Sequence, residues 1–208
     1  MKSPSKYRIT SSILMQTISN WDSLMNFRVR LVGCGGTALT LLNIKESTKD
    51  IDLIVPVHTE YKRMMKFLSD IGYREIRGSW SHPDDPYFLY QFWCGNRVFT
   101  TDLLDSPLES GKHIAIKRFR HIYLGALNLV DLIITKVFRG TSIDIDDCIA
   151  VFATRQVDAD RLLERYSTAS LYDLNPEKMM QNFIFFVEEL ASRNLVNEEF
   201  LEKVREYR

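Results

Sequence analysis

Residues 31–55 read Leu-Val-Gly-Cys-Gly-Gly-Thr-Ala-Leu-Thr-Leu-Leu-Asn-Ile-Lys-Glu-Ser-Thr-Lys-Asp-Ile-Asp-Leu-Ile-Val, and the fold turns on this stretch. A glycine turn (Gly33, Gly35, Gly36) follows a short apolar run and opens a helix-like segment. Further on, Asp50 and Asp52 sit one residue apart at the mouth of a second apolar run, Leu53-Ile54-Val55. Residues i and i+2 of a strand point the same way. Two carboxylates on one face repel unless something positive lies between them, and a hard divalent cation with oxygen ligands is the usual answer. A glycine turn with free backbone N–H groups suits a phosphate. Together these features predict a site for a metal–nucleotide complex. The plainer alternative is a pair of turn glycines beside a solvated aspartate at a strand start.

A rival reading uses the same glycines. Gly33-Cys34-Gly35-Gly36-Thr37-Ala38 fits G-x-G-x-x-A, the dinucleotide-binding fingerprint. That fingerprint expects one acid at the far end of the second strand, on a ribose. Here two acids precede the second apolar run, and the first strand follows a long helix-like segment instead of opening the fold.

The composition is that of an ordinary globular protein. In 208 residues, 45% are hydrophobic and 26% charged, enough for a real core in one domain with a lobe, or in two small domains. Lys+Arg and Asp+Glu both total 27, which argues against a general nucleic-acid coat but leaves room for a local basic groove. Three widely spaced cysteines, Cys34, Cys94 and Cys148, make neither a disulfide scaffold nor a zinc knuckle. Buried or idle thiols in a reducing cytoplasm are the expected reading; Cys34 lies within the glycine turn, where a nucleophile would be considered, but no histidine is near it in sequence. The N-terminus is basic and polar, and no run approaches the ~18 apolar residues of a membrane span. A cytoplasmic protein without a membrane partner is expected.

Periodicity places a helix over 11–27, a strand over 28–32, a helix over 36–43, a strand over 51–55 and a helix over 59–71 that ends at Gly72. Strands follow over 73–77, 87–93, 97–103 and 114–124, with Gly95-Asn96 as a hairpin turn and 78–86 as an exposed loop. From 127 the pattern is helical: 127–139, 143–153, 157–166, 174–190 and 196–207. The expected architecture is α+β: a mixed sheet flanked by helices over 1–124, and a helical C-terminal lobe over 125–208.

Two further groups carry chemistry. Asp102, near the end of an apolar and threonine-rich strand, runs against strand propensity, so a third metal ligand or a general base stands beside a plain edge-strand aspartate. Lys136 and Arg139 share a helix face, as do Asp144 and Asp147 at the start of the next helix. They would either grip a triphosphate or complement helix dipoles and pair with each other across Gly140. Four histidines without ligand spacing read as surface or strand residues. The alternating aromatics Tyr87, Phe88, Tyr90, Phe92 and Trp93 read as core plus sheet surface, with base stacking by one face as the alternative.

In this order, Gly35-Gly36-Thr37-Ala38-Leu39, Ser47-Thr48-Lys49-Asp50-Ile51-Asp52 and Lys136-(x2)-Arg139-(x4)-Asp144-(x2)-Asp147 resemble the minimal nucleotidyltransferase superfamily, the DNA-polymerase-beta-like fold. The likeness is to small prokaryotic nucleotidyltransferases and to nucleotidyltransferase toxins of toxin–antitoxin pairs. It covers roughly 29–55 and 126–152, and departs at Gly36, where many members have Ser. The resemblance implies that Asp50, Asp52 and Asp102 bind Mg²⁺ (or Mn²⁺). It assigns nucleotide binding to Gly35, Gly36, Thr37, Thr48, Lys49, Lys136, Arg139 and Asp147, and catalytic roles to Asp50, Asp52, Asp102, Lys136 and Asp144. The implied activity moves a nucleoside monophosphate from an NTP, such as ATP, to an acceptor hydroxyl on tRNA, a protein or a small molecule. The alternatives are a nucleotide-binding regulator or toxin–antitoxin component without turnover, with an antitoxin-like protein partner, and an interaction module whose tail exposes Phe183, Phe185, Phe186, Leu190 and Leu195, against the plainer expectation that this tail folds back onto the sheet.

Overall fold

The computed structural model describes residues 8–206. The basic stretch through residue 7 and residue 207 of the expected last helix lie outside them. In chain order the elements begin with β1 (Ile9–Thr10), α1 (Ser11–Leu24), β2 (Val29–Gly33), α2 (Gly35–Leu41), β3 (Ser47–Thr48) and β4 (Ile51–Val55). Next come α3 (His58–Asp70), β5 (Arg74–Ile76), β6 (Ser79–His82), β7 (Asp85–Cys94), β8 (Arg97–Val98), β9 (Thr101–Asp102), β10 (His113–Arg118) and β11 (Ile122–Leu127). The chain then turns helical: α4 (Leu129–Arg139), α5 (Ser142–Thr154), α6 (Ala159–Ser170), α7 (Pro176–Ser192) and α8 (Glu198–Glu206). It divides into two compact units. One runs to Val98 and includes Asp105–Asn128; the other comprises Phe99–Leu104 and the chain from Leu129 onward.

The first unit is built on a seven-stranded sheet in the order β10-β11-β2-β4-β7-β6-β5. β11 and β2 run parallel, as do β4 and β7, and the other pairs are antiparallel. The architecture is α+β with a mixed sheet, as the sequence predicts. β2 and β4 pair antiparallel, Val32 opposite Ile54 and Gly33 opposite Leu53. A dinucleotide fingerprint needs those two strands parallel within a βαβ unit, so that reading is overturned. The apolar run of β4 is buried at every position, as expected of a strand covered on both faces. α1 buries Leu14, Ile18 and Trp21. The Trp21 ring packs on Tyr90 and Phe92, with centroids 5.3 and 6.1 Å away, so these inward aromatics belong to the core.

Three segments differ from expectation. Residues 79–82 form β6 instead of an exposed loop. Ser79 and Ser81 are its buried residues, and small polar side chains facing inward leave no hydrophobic alternation to read. The strand expected over 97–103 is broken, because Phe99 takes a left-handed backbone (φ +54°) between β8 and β9. The strand expected over 114–124 is the hairpin β10–β11, closed by Phe119 N–H donating to Ile122 O at 2.8 Å. That turn, Arg-Phe-Arg-His, contains none of the usual turn residues.

In the second unit α4 contributes fully buried Leu132, Ile133 and Val137. The Tyr166 and Phe183 rings stack at 4.2 Å, and the Tyr166 hydroxyl donates to Met179 O at 2.7 Å. α5, α6 and α7 are capped at their N-termini by the side chains of Thr141, Asp158 and Asn175, the residue types that favour this position. Phe183, Phe186 and Leu190 are fully buried, and only Phe185 of that group is exposed. Phe183, Phe186 and Leu190 are therefore core and Leu195 is half-buried, which corrects the reading of the tail as a set of exposed anchors. Among the described residues no helix is long and apolar enough to cross a membrane.

Candidate active site

In the first unit the β2–β4 register carries the glycine turn to the aspartates. Gly33 lies opposite Leu53, and Cys34 N–H donates to Asp52 O at 3.1 Å. Gly35 then adopts φ +54° and opens α2. A Cβ there would stand 2.7 Å from Asp52 Oδ2, and one on Gly36 would collide with Thr48 Oγ1. Only glycine at both positions lets the head of α2 sit directly on the Asp52 carboxylate and the Thr48 hydroxyl. The first N–H groups of a helix have no partner within it, so donors and carboxylate share one small region.

Two threonines fix this geometry. Thr37, fully buried, accepts a hydrogen bond at Oγ1 from Asp52 N–H (2.8 Å) and donates to Asp50 O (3.4 Å). Thr48 Oγ1 donates to the same carbonyl at 3.0 Å. Both hydroxyls thus hold the backbone of the aspartate pair against α2, a positioning role the sequence pattern did not reveal. Asp52 is 7% exposed, Asp50 half-buried and Lys49 exposed. Cys34 is fully buried, which removes it as a nucleophile.

In the second unit Lys136, Arg139, Asp144 and Asp147 form one network, the pairing arrangement that the sequence left open. Gly140 (φ +62°) ends α4, and the turn swings α5 back onto it. Lys136, 2% exposed, donates from Nζ to Asp144 Oδ1 (3.1 Å) and Asp147 Oδ2 (2.8 Å). Arg139 also reaches Asp144 Oδ1 (2.5 Å), and the Thr141 hydroxyl donates to Asp144 Oδ2 (2.7 Å). The Arg139 guanidinium lies 3.9 Å from the Phe99 ring centroid, and its Nε has no hydrogen-bond partner among the described residues. Burial alone would raise the Asp144 pKa. The Lys136 ammonium, the Thr141 hydroxyl and the Arg139 guanidinium outweigh it and hold the carboxyl below its usual range. Burial drives the neighbouring Cys148 thiol far upward, so it is inert. Asp102 is exposed at the end of β9.

Sequence reasoning also missed Asp131, on α4, which accepts from Arg165 Nε and Nη2 at 3.0 and 2.6 Å. It missed the Asn182 amide as well, which donates to Val137 O and Phe138 O at the end of α4 (3.1 and 3.3 Å). Neither has a local signature, since each partner lies more than thirty residues away. Among the described residues no three His, Cys, Asp or Glu side chains converge as a metal cage.

No protein-family model matches the sequence, and no curated protein matches it. Solved structures do. An antigenic nucleotidyltransferase-like protein from Paracoccidioides brasiliensis is similar with a TM-score of 0.50 and 12% identity, covering 89% of this chain and 93% of the other. MenT4, a nucleotidyltransferase toxin of Mycobacterium tuberculosis, gives 0.46 and 14%, over 95% and 92%. The antibiotic-resistance factor ANT(2'')-Ia gives 0.44 and 14%, over 87% and 93%. At such identities the likeness is one of fold, and the first of these carries it: the chain has a nucleotidyltransferase-like fold.

Proposed function

We propose that the chain is a metal-dependent nucleotidyltransferase that moves a nucleoside monophosphate from an NTP to an acceptor hydroxyl. The observation that supports this most is the seating of the Asp52 carboxylate directly against left-handed Gly35 at the head of α2. Sequence-distant halves of the motif, glycine turn and acid pair, meet in one place.

The donor set suits Mg²⁺. Aspartates supply only oxygen, and Mg²⁺ is commonly held by one or two carboxylates, with substrate phosphates and water completing its shell. Asp50 and Asp52 would hold it, and a pair of acids without a third is in keeping with a metal that arrives with its nucleotide. When bound, the cation offsets charge on the triphosphate oxygens. The N–H groups at the head of α2 orient phosphate oxygens, while Thr37 and Thr48 keep the aspartate backbone fixed. In the transfer, the acceptor hydroxyl gives up its proton to solvent, its oxygen bonds to the α-phosphorus, the bond to the β-phosphate oxygen breaks, and pyrophosphate leaves. Asp102, Lys136, Arg139, Asp144 and Asp147, all in the second unit, carry no step in this reading.

The test is incubation of each NTP, labelled at the α-phosphate, with the protein in cell extract. Label should enter one class among RNA, protein and small molecules, and Asp50→Ala with Asp52→Ala should abolish it while the circular dichroism spectrum is kept. Transfer by the double variant at the wild-type rate would contradict the mechanism. A second reading, nucleotide binding without turnover, draws on the absence of a third converging carboxylate among the described residues. Calorimetry separates the two: NTP binding with Mg²⁺ but without pyrophosphate release favours the second.

A further inference from the structure

We infer that the first unit carries a binding groove for single-stranded nucleic acid at the end of β2 opposite the glycine turn. A concavity of about 600 Å³ opens there between the start of β2 and the β10–β11 turn, within the size range of sites that hold a nucleotide-sized ligand. β2 rises about 13 Å from Val29 to Gly33 at ~3.3 Å per residue, so this is a separate place from the glycine–aspartate site.

The groove is basic in a chain of zero formal net charge. Arg28, Arg118 and Arg120 line it and are exposed, and none of the three forms an ion pair among the described residues. Lys117 joins them, its ammonium over the Phe119 ring at 4.7 Å from the centroid. Arg30 faces the groove too, but it is taken by Glu60. Four cations are therefore available to phosphates.

Strand register builds an aromatic platform among them. Arg118 lies opposite Tyr123, and Tyr123 opposite Arg30, so the three stand in one row across β10, β11 and β2. Cross-strand neighbours share a face. The Tyr123 ring is locked: its hydroxyl meets His113 Nε2 at 2.6 Å, and His113 Nδ1 meets Pro107 O at 2.6 Å. His113 reaches Tyr123 because position 125 is glycine, where a Cβ would stand 2.9 Å from His113 Cδ2. The turn itself is pinned by the Asp22 carboxylate, which accepts from the N–H groups of His121 (2.7 Å), Ile122 (2.8 Å) and Arg120 (3.3 Å). A fixed turn that presents Arg-Phe-Arg beside a locked tyrosine has the two parts a single-strand site needs: cations tracking the backbone and rings on which bases stack. An acidic protein surface would use the cations but not the half-buried rings.

The test uses the full chain without NTP or metal, so failure of the transfer reading leaves it standing. Fluorescence anisotropy with labelled oligo(U) and oligo(dU) is read across a salt series, and a preference for either shows whether the 2′-hydroxyl is sensed. With four phosphate contacts at ~0.7 each, log K against log salt should fall with a slope of about −2.8. Arg118→Ala with Arg120→Ala should halve that slope to about −1.4. Phe119→Ala should weaken binding at least about fivefold, the lower bound for one lost stacked base. Slopes unchanged in the double variant, equal affinity for a duplex, an unaffected Phe119→Ala protein, or binding to phosphatidylserine vesicles but to neither oligonucleotide would each overturn the assignment.

Discussion

Replacing Lys136 with Met keeps the length of the side chain and removes its charge. Lys136 Nζ stands 3.1 Å from Asp144 and 2.8 Å from Asp147, and the lysine side chain is only 3% exposed. Without it, two carboxylates in a largely buried space lose the ammonium they share, while Arg139 still contacts Asp144. Removing one member of a buried ion pair typically costs about 3–5 kcal/mol, mostly from the charge left behind. At ~2–4 °C per kcal/mol for a chain of this size, the melting transition of Lys136→Met should fall by about 6–20 °C. Thermal melts followed by circular dichroism measure this directly. The triple variant Lys136→Met, Asp144→Asn, Asp147→Asn removes both buried carboxylates and leaves only Arg139, whose side chain is 26% exposed and so still solvated, and it should recover more than half of the loss. A shift of less than about 2 °C in Lys136→Met, below what one kcal/mol produces, would refute the reasoning, as would a triple variant no more stable than the single one.

Other outcomes follow from the same geometry. Asp144 titrates below its unfolded value of ~3.9, so its contribution to stability is complete above that pH and is lost as pH falls through the folded value. Urea unfolding between pH 6 and pH 2 should show a steep loss at the acid end that Asp144→Asn flattens. Gly35→Ala forces a left-handed backbone on alanine, costing about 1–2 kcal/mol, and pushes Asp52 aside; melts should show that loss and transfer should fall in parallel. Asn182→Ala strips the amide from Val137 O and Phe138 O and should lower stability by about 1 kcal/mol in urea titrations, with no change in nucleotide binding.

Much of the fold could be read from local signals. The apolar run of β4 and Gly72 at φ +94° after α3 are written into adjacent residues. Where elements rest on distant partners, the pattern failed. β6 hides serines rather than hydrophobics, and the β10–β11 turn is held by Asp22, about a hundred residues away. Of the candidate site, the meeting of the glycines with the aspartates was legible because their chemistry is unusual at that spacing. The part played by Thr37 and Thr48 was not, since a hydroxyl's partner is set by the antiparallel register of β2 on β4. The same limit applied to Lys136 and its acids, whose pairing depends on the turn at Gly140 and not on helix spacing alone.

The most direct test of the central claim is pyrophosphate release by purified protein supplied with NTP and a candidate acceptor, compared between wild type and Asp52→Asn, with and without Mg²⁺. The account predicts release by the wild type only when Mg²⁺ is present, and none above background from Asp52→Asn. Release by Asp52→Asn at the wild-type rate, or release that chelation of the metal leaves unchanged, would contradict it.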